Sequence, residues 1–479
     1  MQKLAGIDAA FLYLETQAAH MHVTGTIVLD PITMPQGRNV DHITEFVTER
    51  LRSLPVFRKR VLEVPFGLGH PVCVDDPRFD HIDHIRRATV PAPGSGRDLA
   101  KLIGRIAGKR LDRNKPLWEM WVLDGLANGH VALVTKIHHA LIDGVAGAAV
   151  MSHLFDLEPE ASPRALVEAD TGEPVPTTMQ LVTQALASLT TKPARIAQTV
   201  VETGRSLMPL LGGGDKEDTD SGPRATLPFN APRTVFSGSI SPERAVAFGR
   251  APLDDIKRVK NAFGVTVNDV VLGACTMALR GYLAESGELP DRPLVATIPV
   301  SLDPAASDRQ EGNSVSAMFV SLPVHVPDPV IQLLRISRDT RKAKKRHGSV
   351  SGNMLGEWMQ HMPSALVSQG ARLYAKLADH VRPIHNLVIS NVPGPAFPLY
   401  AAGARVVATY PLGPVLDGAA VNMTVLSYQG SVDLGVISCR EAVPDPWRIA
   451  ERFEEAVAEL LSIAELEAGN AASTDLALS

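Results

Sequence analysis

The stretch HVALVTKIHHALIDGVAG, residues 130–147, decides how this chain is read. HVALVTKI (130–137) is short, apolar and rich in β-branched residues, which predicts a strand. His138 and His139 follow it, then Asp143 and Gly144, then GVAGAAVMSHLFDL, which reads as a buried helix. The order strand, His-His, Asp-Gly, helix puts the polar residues on a loop leaving a strand, where α/β proteins carry reactive groups. Adjacent strand side chains point to opposite faces. The two histidines are therefore expected to divide the work, one entering a cleft and the other packing or hydrogen-bonding. A histidine titrates near ~6.5 and is the natural general base at neutral pH. Gly144 would allow the sharp turn into the helix, and Asp143 would orient it. A metal site needs a third ligand that no nearby His/Cys cluster supplies, and adjacent histidines do not match i,i+4 zinc pairing. The bland alternative is two core histidines with satisfied hydrogen bonds.

The chain has 479 residues, more than one hydrophobic core usually serves. With 45% hydrophobic and 21% charged residues it is ordinary globular material. A net charge of −5 argues against a general nucleic-acid binder. Cys73, Cys275 and Cys439 are far apart and odd in number, so they suggest neither a disulfide framework nor a metal site, and a reducing compartment fits them. The start, MQKLAGIDAAFLYLET, lacks a signal-peptide apolar region, and no run of about 18 strongly apolar residues predicts a span.

Two α/β halves are expected: residues 1–211 carrying the histidine pair and 236–467, joined by a linker at 212–235 and followed by a flexible tail at 468–479. The linker holds GGGDKEDTDSGPR (212–224), Gly-rich and of mixed charge, which suits a solvated tether. In the first half MHVTGTIVLD (21–30) and LWEMWVLD (117–124) read as strands, and VDHITEFVTERLRSL (40–54) and RDLAKLIGRIAGKRLD (97–112) as helices. Residues 157–177 read as a linker, and 178–211 as helices interrupted by Pro193. In the second half ARVVATY, VNMTVLSY and SVDLGVIS lie close together with short turns and are expected as antiparallel neighbours.

HHxxxDG is the signature of coenzyme A-dependent acyltransferases and condensation domains, and the chain resembles that superfamily. GIDAAFLYLET, MHVTG, PLWEMWVLDGL (116–126), VNDVVLG (267–273), IPVSL with GNSVS (312–316) and NLVISNVPGP (386–395) occur in this order. Together they resemble the bacterial wax ester synthase/diacylglycerol acyltransferase family, over residues 6 to 465. The resemblance implies a two-domain α/β fold of chloramphenicol acetyltransferase type, with mixed sheets flanked by helices and an interdomain tunnel. It implies His139 as general base, with His138, Asp143 and Gly144 shaping the loop. Acyl-coenzyme A would be the co-substrate with no bound cofactor, and diacylglycerol or a fatty alcohol the acceptor. No acyl-enzyme is needed, which agrees with the lack of a nucleophile motif. The implied location is cytoplasmic, peripheral to the inner membrane or to lipid droplets. Rival readings are another HHxxxDG acyltransferase, of polyketide-associated or condensation type, and a weakly active lipid-binding protein of this fold.

Asn268, Ser390 and Asn391 are the candidates for the oxyanion donor. For Asn268 and Asp269 the competing reading is helix capping. Trp118 and Trp121 read as core or tunnel wall, and Pro393 and Gly394 as backbone shape. Relatives often carry a basic residue after the PVS segment, where this chain has Leu302 and Asp303. Asp143 would then need another partner, for which Arg233 or a backbone donor is a candidate. The basic run RDTRKAKKRHG (338–348) reads first as a solvated helix face, with coenzyme A phosphates or lipid headgroups as alternatives.

Overall fold

In a computed structural model, residues 2–35, 37–141, 151, 153–160, 174–190, 231–301, 315–349 and 364–478 are described. The tether at 212–224, the segment 142–150 and residues 302–314 lie outside them. The strands are β1 (Gln2–Lys3), β2 (His22–Asp30), β3 (Lys59–Leu62), β4 (Val72–Asp75), β5 (Ile85–Thr89), β6 (Trp118–Asp124), β7 (Val131–His138), β8 (Arg244–Pro252), β9 (Leu294–Ser301), β10 (Val315–Leu322), β11 (Leu387–Val392), β12 (Tyr400–Ala401), β13 (Ala404–Leu412), β14 (Val421–Tyr428) and β15 (Ser431–Cys439). The helices are α1 (Gly6–Leu14), α2 (Val40–Arg52), α3 (Gly96–Ala107), α4 (Thr178–Thr190), α5 (Leu253–Phe263), α6 (Val267–Glu285), α7 (Pro329–Ser349), α8 (Ser364–Leu377) and α9 (Trp447–Leu478).

Two six-stranded mixed sheets organise the chain. The first has the order β12-β13-β2-β7-β6-β5 and the second β10-β9-β11-β14-β15-β8. In the second sheet β11 runs parallel to both β9 and β14. Its outer face buries Leu387, Ile389, Met423 and Leu434 against Val271, Leu279 and Phe453 of α6 and α9. The outer face of the first sheet packs Trp118, Met120 and Leu133 against Ile43, Phe46 and Leu51 of α2. Trp118 belongs to this core and donates its indole N–H to the Phe57 carbonyl at 2.7 Å.

Three expectations are corrected. Residues 404–410 do not pair with β14. They lie in β13, which pairs antiparallel with β2, from Arg405 opposite Asp30 to Leu412 opposite Thr24. Of these three segments, β14 and β15 do form the expected hairpin, through Gln429 (φ 44) and Gly430 (φ 82), the left-handed pair a tight turn needs. The 413–420 connection has its own tight turn, Leu416 and Ala419 bonding each other across Asp417 and Gly418 (φ 82), but it does not lay β13 beside β14, and Ala404 and Val406 are buried in the first core. The halves are thus not separated by one cut, since 400–412 completes the first sheet. Second, α3 stops at Ala107, capped by Gly108, and the chain beyond it turns Arg110 and Arg113 toward Glu15. Third, α9 continues through 468–478, the expected tail, because its Ala- and Leu-rich composition extends a helix already nucleated. Of the basic run, Arg338 pairs with the adjacent Asp339, while Arg341, Lys342 and Lys344 are exposed, as on a solvated face.

The seam between the sheets is a third core. Leu99, Ile103 and Ile106 of α3 are wedged between Ala132 and Val134 of the first sheet and Val246, Phe248 and Ile437 of the second. Asp433, 0% exposed, ties the sheets together by accepting from the Thr409 backbone N–H at 2.8 Å and from Arg250 at 2.7 Å. The wedge depends on Gly104, where a Cβ would stand 2.6 Å from the Arg244 carbonyl oxygen. Gly104→Ala should therefore destabilise the protein by about 1–3 kcal/mol in spite of better helix propensity. Gly370→Ala in α8, where a Cβ meets nothing within 4 Å, should be neutral or mildly stabilising. Thermal and urea unfolding of both variants checks this; equal effects would contradict the close approach.

Candidate active site

β2 and β7 pair antiparallel in a register that sets His22 opposite His138. The ladder runs one step past the strand, where the His139 N–H donates to the Met21 carbonyl at 2.9 Å. Leu141 N–H then donates to the His138 carbonyl, closing a turn. The strand end thus fixes the backbone of both histidines before any side chain is considered.

The side chains diverge. His138 is 1% exposed. Its Nδ1 accepts from the Ala140 backbone N–H at 3.1 Å, so the neutral ring carries its proton on Nε2. That Nε2 is buried without a hydrogen bond, 3.9 Å from Glu15 Oε2. Burial, then the charge of Arg113, the neighbouring His139 and Arg110, hold its pKa down at about 3. A ring so held stays neutral across the physiological range.

His139 is partly exposed. Phe11 stacks on its ring with centroids 3.9 Å apart and planes 14° apart. Burial holds its pKa below the ordinary histidine value, and its own carbonyl oxygen pulls the other way. That oxygen is not in hydrogen-bond geometry, since Nδ1 is buried without a partner. Of the two, His139 is the ring that is not tied to the backbone, and it is neutral and able to accept a proton at pH 7.

Both histidines meet α1. Phe11 lies on it, and Glu15, four residues on, caps its C-terminal end. Glu15 is held by Arg110 Nε at 3.3 Å and by Arg113. These four residues escaped sequence reasoning, although FLYLE carries an aromatic and an acid at i,i+4 spacing. α1 also packs against α8 of the second half. Behind the site, His22 Nε2 bonds the Ala107 carbonyl at 2.8 Å, and Lys136, 0% exposed, reaches Glu119 at 3.3 Å.

The remaining candidates separate. Asp143 and Gly144 lie outside the described residues. Arg233, offered as a partner for Asp143, donates to the Val381 carbonyl at 3.1 Å. Asp269 is a structural residue. It is the third residue of α6, and its carboxylate accepts from the Thr266 N–H at 3.0 Å and the Thr340 hydroxyl at 2.7 Å. Thr266 is the cap that completes the box, a T-x-x-D signal present in the sequence. Burial pushes the Asp269 carboxyl up, but the bonds from Thr266, Thr340 and Ser337 outweigh it and hold the pKa below the ordinary value.

Asn268 Oδ1 accepts from Asn391 Nδ2 at 3.4 Å, so these two amides meet each other. Ser390 precedes Asn391 on β11 and by strand alternation faces the other way. That side of the second sheet also carries Phe248 and Ile437, which meet the first half. The turn after β11 needs Gly394, where a Cβ would stand 2.2 Å from the Ser427 carbonyl oxygen. Two open cavities of about 560 and 500 Å³ share Arg250 and Val407 in their walls, and His139 lines neither.

A family model described as the wax ester synthase/diacylglycerol acyltransferase catalytic domain matches residues 4–271, and one for the C-terminal domain of that family matches residues 311–461. A Mycobacterium tuberculosis protein provisionally named diacylglycerol O-acyltransferase is 38% identical over 466 residues, 97% of this chain and 91% of that protein. Another from the same organism, with the same provisional activity in its name, is 36% identical over 460 residues, 95% of this chain and 97% of its own length. The solved wax ester synthase/diacylglycerol acyltransferase of Marinobacter aquaeolei VT8 matches with a TM-score of 0.70 and 28% identity, covering 97% of this chain and 100% of that one. The first condensation domain of the calcium-dependent antibiotic synthetase shares the fold, with a TM-score of 0.56 at 14% identity over 97% and 96% of the two chains. The two-sheet architecture, the HHxxxDG stretch at the end of β7 and these matches along nearly the whole chain agree: it belongs to the wax ester synthase/diacylglycerol acyltransferase family.

Proposed function

We propose that this chain moves a long-chain fatty acyl group from acyl-coenzyme A to the hydroxyl of diacylglycerol, making triacylglycerol, with fatty alcohols as a second class of acceptor. The observation that carries the reading is the division between the two histidines: His138 is locked and neutral, while His139 is partly exposed with its ring Nδ1 unpartnered. His139 takes the proton of the acceptor hydroxyl as that oxygen attacks the thioester carbonyl carbon. The tetrahedral intermediate collapses with cleavage of the C–S bond, and the imidazolium returns the proton to the thiolate. No acyl-enzyme forms, and acyl-coenzyme A is consumed as a substrate. Ser390 is the favoured oxyanion donor of the three candidates, because its side of β11 is directed toward the first half.

Both acyl chains and the product are apolar, so the reading includes a tunnel mouth at a lipid phase and peripheral association with the inner membrane or lipid droplets. Among the described residues no single helix is long and apolar enough to cross a membrane. The bent pair α5 and α6 passes the length and composition test, but Ile256, Val259 and Val271 of that pair are buried in the second core.

The assay offers purified protein labelled palmitoyl-coenzyme A with diacylglycerol, hexadecanol or neither, and separates products by lipid class. His139→Ala should fold normally and lose about 10²–10⁴-fold in rate. His138→Ala should retain more activity and lose stability, since it removes a buried ring bonded to the Ala140 backbone. The wild-type rate should be flat above the ordinary histidine value of about 6.5 and fall only at lower pH, because the depressed pKa keeps His139 unprotonated until then. A folded His139→Ala enzyme of near-normal rate would overturn the mechanism, and turnover only with carrier-protein thioesters would favour a condensation-type enzyme. In cell fractionation, high salt or carbonate should release the protein from membranes; release by detergent alone would contradict peripheral binding.

A further inference from the structure

Among the described residues, Phe11 makes the aromatic contact on the His139 ring. The backbone N–H bonds to the Met21 carbonyl, but ring Nδ1 has no partner. Phe11 lies flat on the imidazole at 3.9 Å and 14°. Phe11 is itself held from several sides: it packs against the core of Leu12, Leu117 and Ala140 and against that of Leu99 and Ile103. Two residues on, the Tyr13 hydroxyl meets His70 Nδ1 at 3.0 Å, and α8 packs on the same helix. A ring so placed fixes the plane of its neighbour and excludes water from one face. It also offers a negative π face to any cation that forms there.

We propose that Phe11 is a positioning residue for acyl transfer: it sets the plane of His139 and stabilises the imidazolium formed when the acceptor proton arrives. The proposal rests on the reading of His139 as the base. The step is balanced within the ring, since the proton gained from the hydroxyl is the one returned to the thiolate. The stack acts in the interval between, when a positive charge sits in a site that burial makes unfavourable for it. Other titratable groups of the neighbourhood are Asp8 on α1 and Glu15 at its C-terminal end, His22 and His138 on the paired strands, and Arg110 and Arg113 after α3. Substitution at Phe11 leaves all of them in place.

The test uses the full chain with ¹³C-labelled histidine, the His139 signal being assigned by its loss in His139→Gln. Phe11→Leu keeps the site dry but removes the π face. The His139 midpoint should fall by about half to one and a half pH units. With it kcat should fall about three- to thirtyfold, and KM for both substrates should change little. Phe11→Tyr should restore both. Phe11→Ala should move the midpoint the opposite way, toward the ordinary histidine value, because water enters. Should the leucine variant not fold, Phe11→Met serves in its place. An unmoved midpoint in the leucine or methionine variant, or a change in KM alone, would overturn the proposal. If the midpoint shifts as expected while His139→Ala remains fully active, the stack is supported and the base assignment alone fails.

Discussion

The antiparallel pairing of β2 with β7 is the constraint on which the site depends. It aligns His22 with His138 and extends one bond further, from His139 to Met21. A one-residue slip in such a ladder would send every side chain to the opposite face. Here it would exchange the buried ring for the partly exposed one. The register is in turn held by apolar residues on both faces, with Leu133 in the outer core and Ala132 and Val134 in the seam. Packing along the strands thus decides which histidine is buried and which is partly exposed.

The seam adds a second level of control. α3 is driven between the sheets by Leu99, Ile103 and Ile106, and β13 crosses from the second half to close the first sheet. The buried Asp433 carboxylate spans the join, an arrangement that is stable only because an arginine and a backbone N–H satisfy it. The consequence for chemistry is a site built between elements that cannot drift independently. α1, which carries Phe11 and Glu15 to the two histidines, packs against a helix of the second half.

Much of this was legible in the sequence, for physical reasons. The motif residues lie within seven positions, so strand periodicity alone predicted that His138 and His139 would part ways. The T-x-x-D before α6 also contained the cap that explains Asp269. What the sequence hid is long-range. Phe11 and His139 are far apart along the chain, and an aromatic in a short apolar helix looks like core until its neighbour is known. β13 has the same local pattern whether it pairs with β14 or with β2. Only the burial of Ala404 and Val406 in the first core decides between them. Helix ends were misplaced where composition was ambiguous, at Gly108 and in the Ala-rich end of α9.

The proposed mechanism, attack on the thioester followed by collapse of a tetrahedral intermediate, needs no covalent protein intermediate. The direct measurement is a single-turnover experiment with excess enzyme and palmitoyl-coenzyme A, following released thiol and the intact mass of the protein. Without an acceptor, no thiol should appear and the mass should not change. On adding diacylglycerol, thiol and triacylglycerol should form together. A burst of thiol before the acceptor is added, with a protein heavier by one palmitoyl group, would contradict the account.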